Sequence, residues 1–156
     1  MRATLIAVGE KMPSWVTAGY NEYVKRLSHE LPLQLVEVTS KLRGRTNDAA
    51  RVIADEGTLM LAALAKGVNA IALDGRGKQY SSEQLAEQLA RWRMGGRDIA
   101  FLVGGPEGLA PAVRERANQC WSLGPATLPH PLVRILIAEQ LYRAASLLGN
   151  HPYHRG

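Results

Sequence analysis

Four stretches of this 156-residue chain gather residues able to do chemistry. Gly104, Gly105, Pro106, Glu107 and Gly108 place three glycines in five positions, so the backbone can take positive φ and admit another molecule close to the main chain. Pro106 stiffens the turn between them. Downstream, the run from Gly124 to Pro131 holds Pro125, Pro129 and Pro131, each fixing φ and removing a donor, which describes a rigid wall and not a linker. Glu139 and Arg143 are four residues apart, neighbours on a helix, either as a solvated ion pair or as part of a site. The chain ends on His151, Pro152, Tyr153, His154 and Arg155, a concentration of imidazole, phenol and guanidinium groups.

The glycine loop is not G-x-x-x-x-G-K-[ST], and Gly75-Arg76-Gly77 has Tyr80 where a dinucleotide fingerprint needs its third glycine. His151 and His154 stand in H-x-x-H spacing, but a metal wants further ligands and only His130 lies near the loops, so no metal site is expected.

These groups need a scaffold, and apolar periodicity supplies one. Strands are expected at the N-terminus up to Val8, at Leu33–Val38, at Ala70–Leu73, at Ile99–Val103 and at Cys120–Leu123. A helix opens at Pro13 and presents Val16, Tyr20, Tyr23, Val24 and Leu27 on one face. Thr46 or Asn47 caps a second through about Ala65, with Val52, Ile53, Leu59, Leu61 and Leu64 as cover. Ser81 and Gln84 have capping-box spacing before Leu85, Leu89 and Trp92, and Gly95 with Gly96 stops that helix. A short helix starts at Pro111. The last runs from Pro131 to Leu148 on Val133, Leu136, Ile137, Leu141 and Leu148, and Gly149 with Asn150 ends it. Strand and helix alternate throughout, which predicts an α/β sandwich with a largely parallel sheet. Such sheets bind ligands beyond the carboxyl ends of their strands, where both loops fall. The strands feeding the two loops are expected to be neighbours, so that the loops form opposite sides of one pocket.

A chain of this length is read as one domain, residues 1–156. The formal net charge of +5 favours an acidic partner such as nucleic acid or an anionic membrane. Lys41, Arg43 and Arg45 crowd one loop, either as a solvated connection or as a grip on phosphates. The single cysteine, Cys120, cannot close an intramolecular disulfide and reads as a small buried apolar residue. No run approaches the roughly 18 apolar residues of a membrane helix, and the first apolar run meets Gly9, Glu10 and Lys11 too soon for a secretion signal, so a cytoplasmic protein with no membrane partner is expected.

Taken together, Phe101–Leu109 (FLVGGPEGL), Leu128–Arg134 (LPHPLVR), Ala138–Ala144 (AEQLYRA) and Asn150–Arg155 (NHPYHR) resemble the ribosomal RNA large subunit methyltransferase H family, the small SPOUT-class pseudouridine methyltransferases. The likeness begins at LIAVGEKMPSWV and covers essentially the whole chain. It implies an enzyme that uses S-adenosyl-L-methionine to methylate N3 of a pseudouridine in 23S rRNA on the assembled ribosome. It also implies a homodimer and a C-terminal trefoil knot, which periodicity does not show. Carried over by the resemblance, the cofactor positions are Leu73, Gly104, Leu123, Gly124, Pro125, Ala126, Thr127 and Leu128.

Removal of the N3 proton calls for a base or for a cation that stabilises the ring's charge. His154 or Glu139 could accept the proton, Arg143 could stabilise O2 or O4, and Tyr153 could stack on the base or bond its edge. The tail can reach a second subunit's pocket, making the site composite. Two other readings stay open, a non-catalytic ribosome-associated RNA-binding factor and a knotted transfer RNA methyltransferase. Arg43, Arg45 and Arg76 are the candidate phosphate contacts.

Overall fold

Side chains alternate across each apolar run, and the two sets they form build two cores. Ala3, Leu5, Ala7, Ile99, Phe101, Val103 and Ile71 face one way, while Ile6, Val8, Ala100, Leu102, Ala70 and Ala72 face the other. In the computed structural model these residues form five strands, β1 (Ala3–Val8), β2 (Leu33–Val38), β3 (Asn69–Gln79), β4 (Ile99–Val103) and β5 (Gln119–Ser122). Residues 1–150 and 152–155 are described, the side chains of His154 and Arg155 excepted. The sheet runs β2-β1-β4-β3-β5, every pairing parallel, so all carboxyl ends meet at one edge.

Helices α1 (Ser14–Leu27), α3 (Ser82–Gly95) and α5 (His130–Leu148) cover the first face, and α2 (Ala49–Ala63) with α4 (Pro111–Arg116) the second. A turn of 3-10 helix, Pro152–Arg155, follows α5. The first core is anchored by Phe101, whose ring meets Trp92 and Trp121 edge-on at centroid distances of 5.8 and 6.1 Å. Burial of such a ring contributes about 2–3 kcal/mol, and each edge contact adds up to about 1 kcal/mol. No described helix is long and apolar enough to cross a membrane.

Several boundaries differ from the sequence expectation. The cap of α2 is Asp48, whose carboxylate accepts from the Arg51 N–H, while Thr46 Oγ1 accepts from the Asp48 N–H and so shapes the turn before the helix. Leu59 and Leu148, expected inside, are 37% and 42% exposed. At α5 the buried stripe is Arg134, Ile137, Ala138, Leu141, Ala144 and Ala145, and the helix begins one residue early, at His130. β3 continues past Leu73 to Gln79 through an irregularity at which both Leu73 and Lys78 pair with Trp121. Most consequentially, β4 and β5 are not neighbours: β3 lies between them, because the crossover through α4 passes over it.

Candidate active site

The loops leaving β4 and β5, with the irregular middle of β3 between them, enclose a cleft of about 340 Å³. That volume suits a nucleoside-sized molecule. The intervening strand adds a floor, Leu73, Asp74 and Gly75, between the glycine loop and the proline wall. All eight cofactor positions implied by the resemblance, Leu73, Gly104 and Leu123 through Leu128, line this cleft. Trp121, Leu109 and Val133 complete its apolar surface.

The glycine loop is folded back on itself. The Gly108 N–H donates to the Gly105 carbonyl at 3.0 Å, and Gly108 takes φ of +91°. A Cβ on Gly104 would lie 2.6 Å from the Gly108 carbonyl carbon, a backbone atom that cannot step aside. Across the cleft the wall is set at its start by Ser122, whose hydroxyl accepts from the Gly124 N–H and donates to the Gly124 carbonyl. Gly124 turns there with φ of +127°.

A charged cluster braces the glycine loop from behind. Arg43 donates to Glu107 at 3.0 and 3.1 Å and to the buried Glu56 at 2.9 and 3.0 Å, tying the glycine loop to α2. The Arg43 hydrogen bond holds the Glu107 carboxyl below its usual value, while burial pushes Glu56 up against the pull of Arg43. Arg43 is therefore a structural clamp, its guanidinium already engaged by two carboxylates, and not the phosphate grip that the basic loop offered as one reading. Arg76 likewise turns back onto Asp74 at 3.1 Å.

Arg134 is 2% exposed and reaches from α5 to the ends of two strands. It donates to Glu37 at 2.6 Å and to the Gly9 carbonyl at 2.9 Å. One turn earlier, His130 lines the cleft, its pKa lowered first by burial and then by Arg134 and Arg43, so the imidazole is neutral at pH 7. Neither Arg134 nor Glu56 stood out as a functional residue in the sequence. The signal was present: each is a charged residue on an otherwise buried helical stripe, Glu56 between Val52 and Met60 and Arg134 before Ile137, which requires a partner.

The other group of expected site residues gathers elsewhere. The Tyr153 hydroxyl donates to Glu139 at 2.9 Å, Arg143 Nε donates to the same oxygen at 3.1 Å, and the guanidinium lies 5.0 Å from the Tyr153 ring centre. Tyr142 packs on that ring at 4.5 Å. Burial and then the bond to Glu139 raise the Tyr153 pKa, so it is a neutral donor. The side chain of His154, and His151 altogether, lie outside the described residues. Glu139, Arg143 and Tyr153 do not line the cleft of their own chain. Glu139 follows Val133 by six residues, about 9 Å along the helix and well round its axis. Among the described residues no cluster could hold a metal.

A family model described as "Predicted SPOUT methyltransferase" matches residues 1–154. Proteins named "Ribosomal RNA large subunit methyltransferase H" from Xanthomonas campestris pv. campestris (strain B100) and Stenotrophomonas maltophilia (strain K279a) are each 58% identical over 155 residues, covering 99% of both chains. A probable methyltransferase structure from Bordetella pertussis Tohama I superposes with a TM-score of 0.57 at 20% identity, over 92% of this chain and 94% of that one. A probable methylase family protein from Haemophilus influenzae Rd KW20 gives 0.54 at 15% identity, over 97% and 69%. Those two likenesses concern the fold alone. With the family model matched over residues 1–154 and relatives 58% identical along nearly the full length, the chain belongs to the SPOUT methyltransferases, among the ribosomal RNA large subunit methyltransferases H.

Proposed function

We propose that this protein methylates N3 of a pseudouridine in 23S rRNA on the assembled ribosome, with S-adenosyl-L-methionine as methyl donor. The observation that carries the reading is the cleft at the carboxyl ends of β4 and β5 and over the irregular middle of β3, walled by the two stiff loops. Its surfaces suit the donor chemically. Leu73, Trp121, Leu123 and Leu128 offer apolar cover for a purine, and the exposed main chain of both loops offers hydrogen bonds to its edge.

Bound there, the donor supplies an electrophilic methyl group on a sulfonium, which passes to the ring nitrogen as the carbon–sulfur bond breaks. The protein's contribution is to hold the two reactants in line and to manage the N3 proton. Glu139 or His154 accepts that proton, directly or through water. Arg143 stabilises the charge left on O2 or O4, and Tyr153 stacks on the base. Because Glu139, Arg143 and Tyr153 do not line the cleft of their own chain, a homodimer that sets one subunit's cluster against its partner's cleft completes the site. The C-terminal knot belongs to the same reading, as does action in the cytoplasm, where ribosomes are.

Ribosomes lacking this methyl group, offered with isotopically labelled donor, test the proposal, with transfer RNA as the control. One labelled methyl per large subunit, mapped by mass spectrometry to a pseudouridine, is expected. Label in transfer RNA, or none at all, would refute it. Replacing His154 with alanine tests the base: an unchanged single-turnover rate leaves Glu139 in that role.

A further inference from the structure

Beside the cleft lies a second groove of about 440 Å³, between β3, α3 and the edge strand β5. Lys78, Arg91 and Arg97 line it, and no carboxylate does. None of the three forms a salt bridge among the described residues, whereas Arg43, Arg76, Arg114 and Arg134 each meet an acid. Three like charges facing one hollow repel each other, and a polyanion relieves that cost.

The groove is also built. Arg97 is fixed by donating to the Gly67 carbonyl at 2.9 Å and the Val68 carbonyl at 3.1 Å. The buried Trp92 donates to Gln119 at 2.8 Å, and Gln119 to Gln88 at 3.3 Å, so the floor is a closed polar relay. Above it the Lys78 ammonium lies 5.5 Å from the centre of the half-buried Tyr80 ring. Cations that follow a backbone beside an aromatic face are the equipment for a single nucleic acid strand.

Position decides which strand. Tyr80 lines both the groove and a smaller hollow containing Trp121, Ser122, Leu123 and Gly124, and those four residues also line the methyl-donor cleft. The three depressions are consecutive, joined by shared residues.

We propose that the groove is a track for the phosphate backbone of the RNA strand flanking the modified nucleotide. This rests on the ribosomal RNA reading given above. Phosphates here bind without reading sequence and fix the register of the strand entering the cleft.

The doubly substituted protein K78Q/R91Q tests the track. Arg97 is left alone because it caps backbone carbonyls. Steady-state methylation of undermethylated ribosomes should show a KM for ribosomes raised about tenfold at 0.15 M salt, with kcat and donor affinity unchanged, and the salt dependence of log KM should fall by about 0.7 per cation removed. R91E should weaken binding further than R91Q, and K78R/R91K should restore it. Unchanged ribosome KM and salt dependence in R91E would overturn the track while leaving the methyltransferase reading intact. A wild-type protein that binds donor but methylates no ribosomal RNA would overturn the functional reading and, with it, the track.

Discussion

Around the cleft each arginine behind the loops is matched by a carboxylate, and in the neighbouring groove none of the three cations is. The difference separates two uses of charge. Paired charge fixes backbone: Arg43 holds the glycine loop through Glu107, and Arg134 fastens the start of α5 to β1 and β2. In the groove Arg97 caps the Gly67 and Val68 carbonyls, whereas Lys78 and Arg91 meet no acid among the described residues, and their removal should cost the fold little. Substitutions on the two sides should therefore differ in what they damage.

The largest effect on stability is expected from Arg134→Met. It removes a buried guanidinium from Glu37 and two backbone carbonyls, and breaking such a contact costs about 3 kcal/mol, read as a lowered urea midpoint. Gly104→Ala drives a Cβ into the Gly108 backbone, so donor affinity by calorimetry should fall at least about a hundredfold, roughly 3 kcal/mol, with the sheet still folded. Arg43→Gln leaves the buried Glu56 without its cationic partner and should cost about 2 kcal/mol. Glu107→Gln breaks a half-exposed pair and should cost under about 1 kcal/mol. Lys78→Gln should leave stability within about 0.5 kcal/mol of wild type, since the side chain is exposed. Were it to destabilise as much as Arg43→Gln, the contrast would be broken.

Acid sharpens the same comparison. The folded Glu107 pKa lies below the ordinary carboxylate value because Arg43 donates to its charged form. Between those two values the unfolded chain binds more protons than the folded one, so stability rises with pH across that interval. The contribution is complete above the unfolded value of 4.5 and is lost as pH falls through the folded one. Stability curves for wild type and Glu107→Gln should accordingly converge in acid and separate above pH 5.

Local patterns in the sequence carried the elements because they are local. The Ser81–Gln84 capping box, the stop at Gly96 and the unbroken apolar run Ile99–Val103 are each written within a few residues. The two stiff loops were legible for the same reason, and they line one cleft. Strand order was not, since the insertion of β3 between β4 and β5 depends on which distant edges pair, and periodicity is silent on that. Thr46, Asn47 and Asp48 are all capable caps in series, and only geometry chooses Asp48 for α2. The basic groove escaped notice because Lys78, Arg91 and Arg97 come from three elements and stand among acids such as Glu83 and Glu87 that do not line it.

On the reading proposed above, the two stiff loops that follow β4 and β5 hold the methyl donor. A crystal structure with S-adenosylhomocysteine bound tests it most directly. The expected density lies between Leu73, Gly104 and the wall from Leu123 to Leu128, with the purine against the apolar side chains. Density elsewhere, with that cleft holding only water, would contradict it.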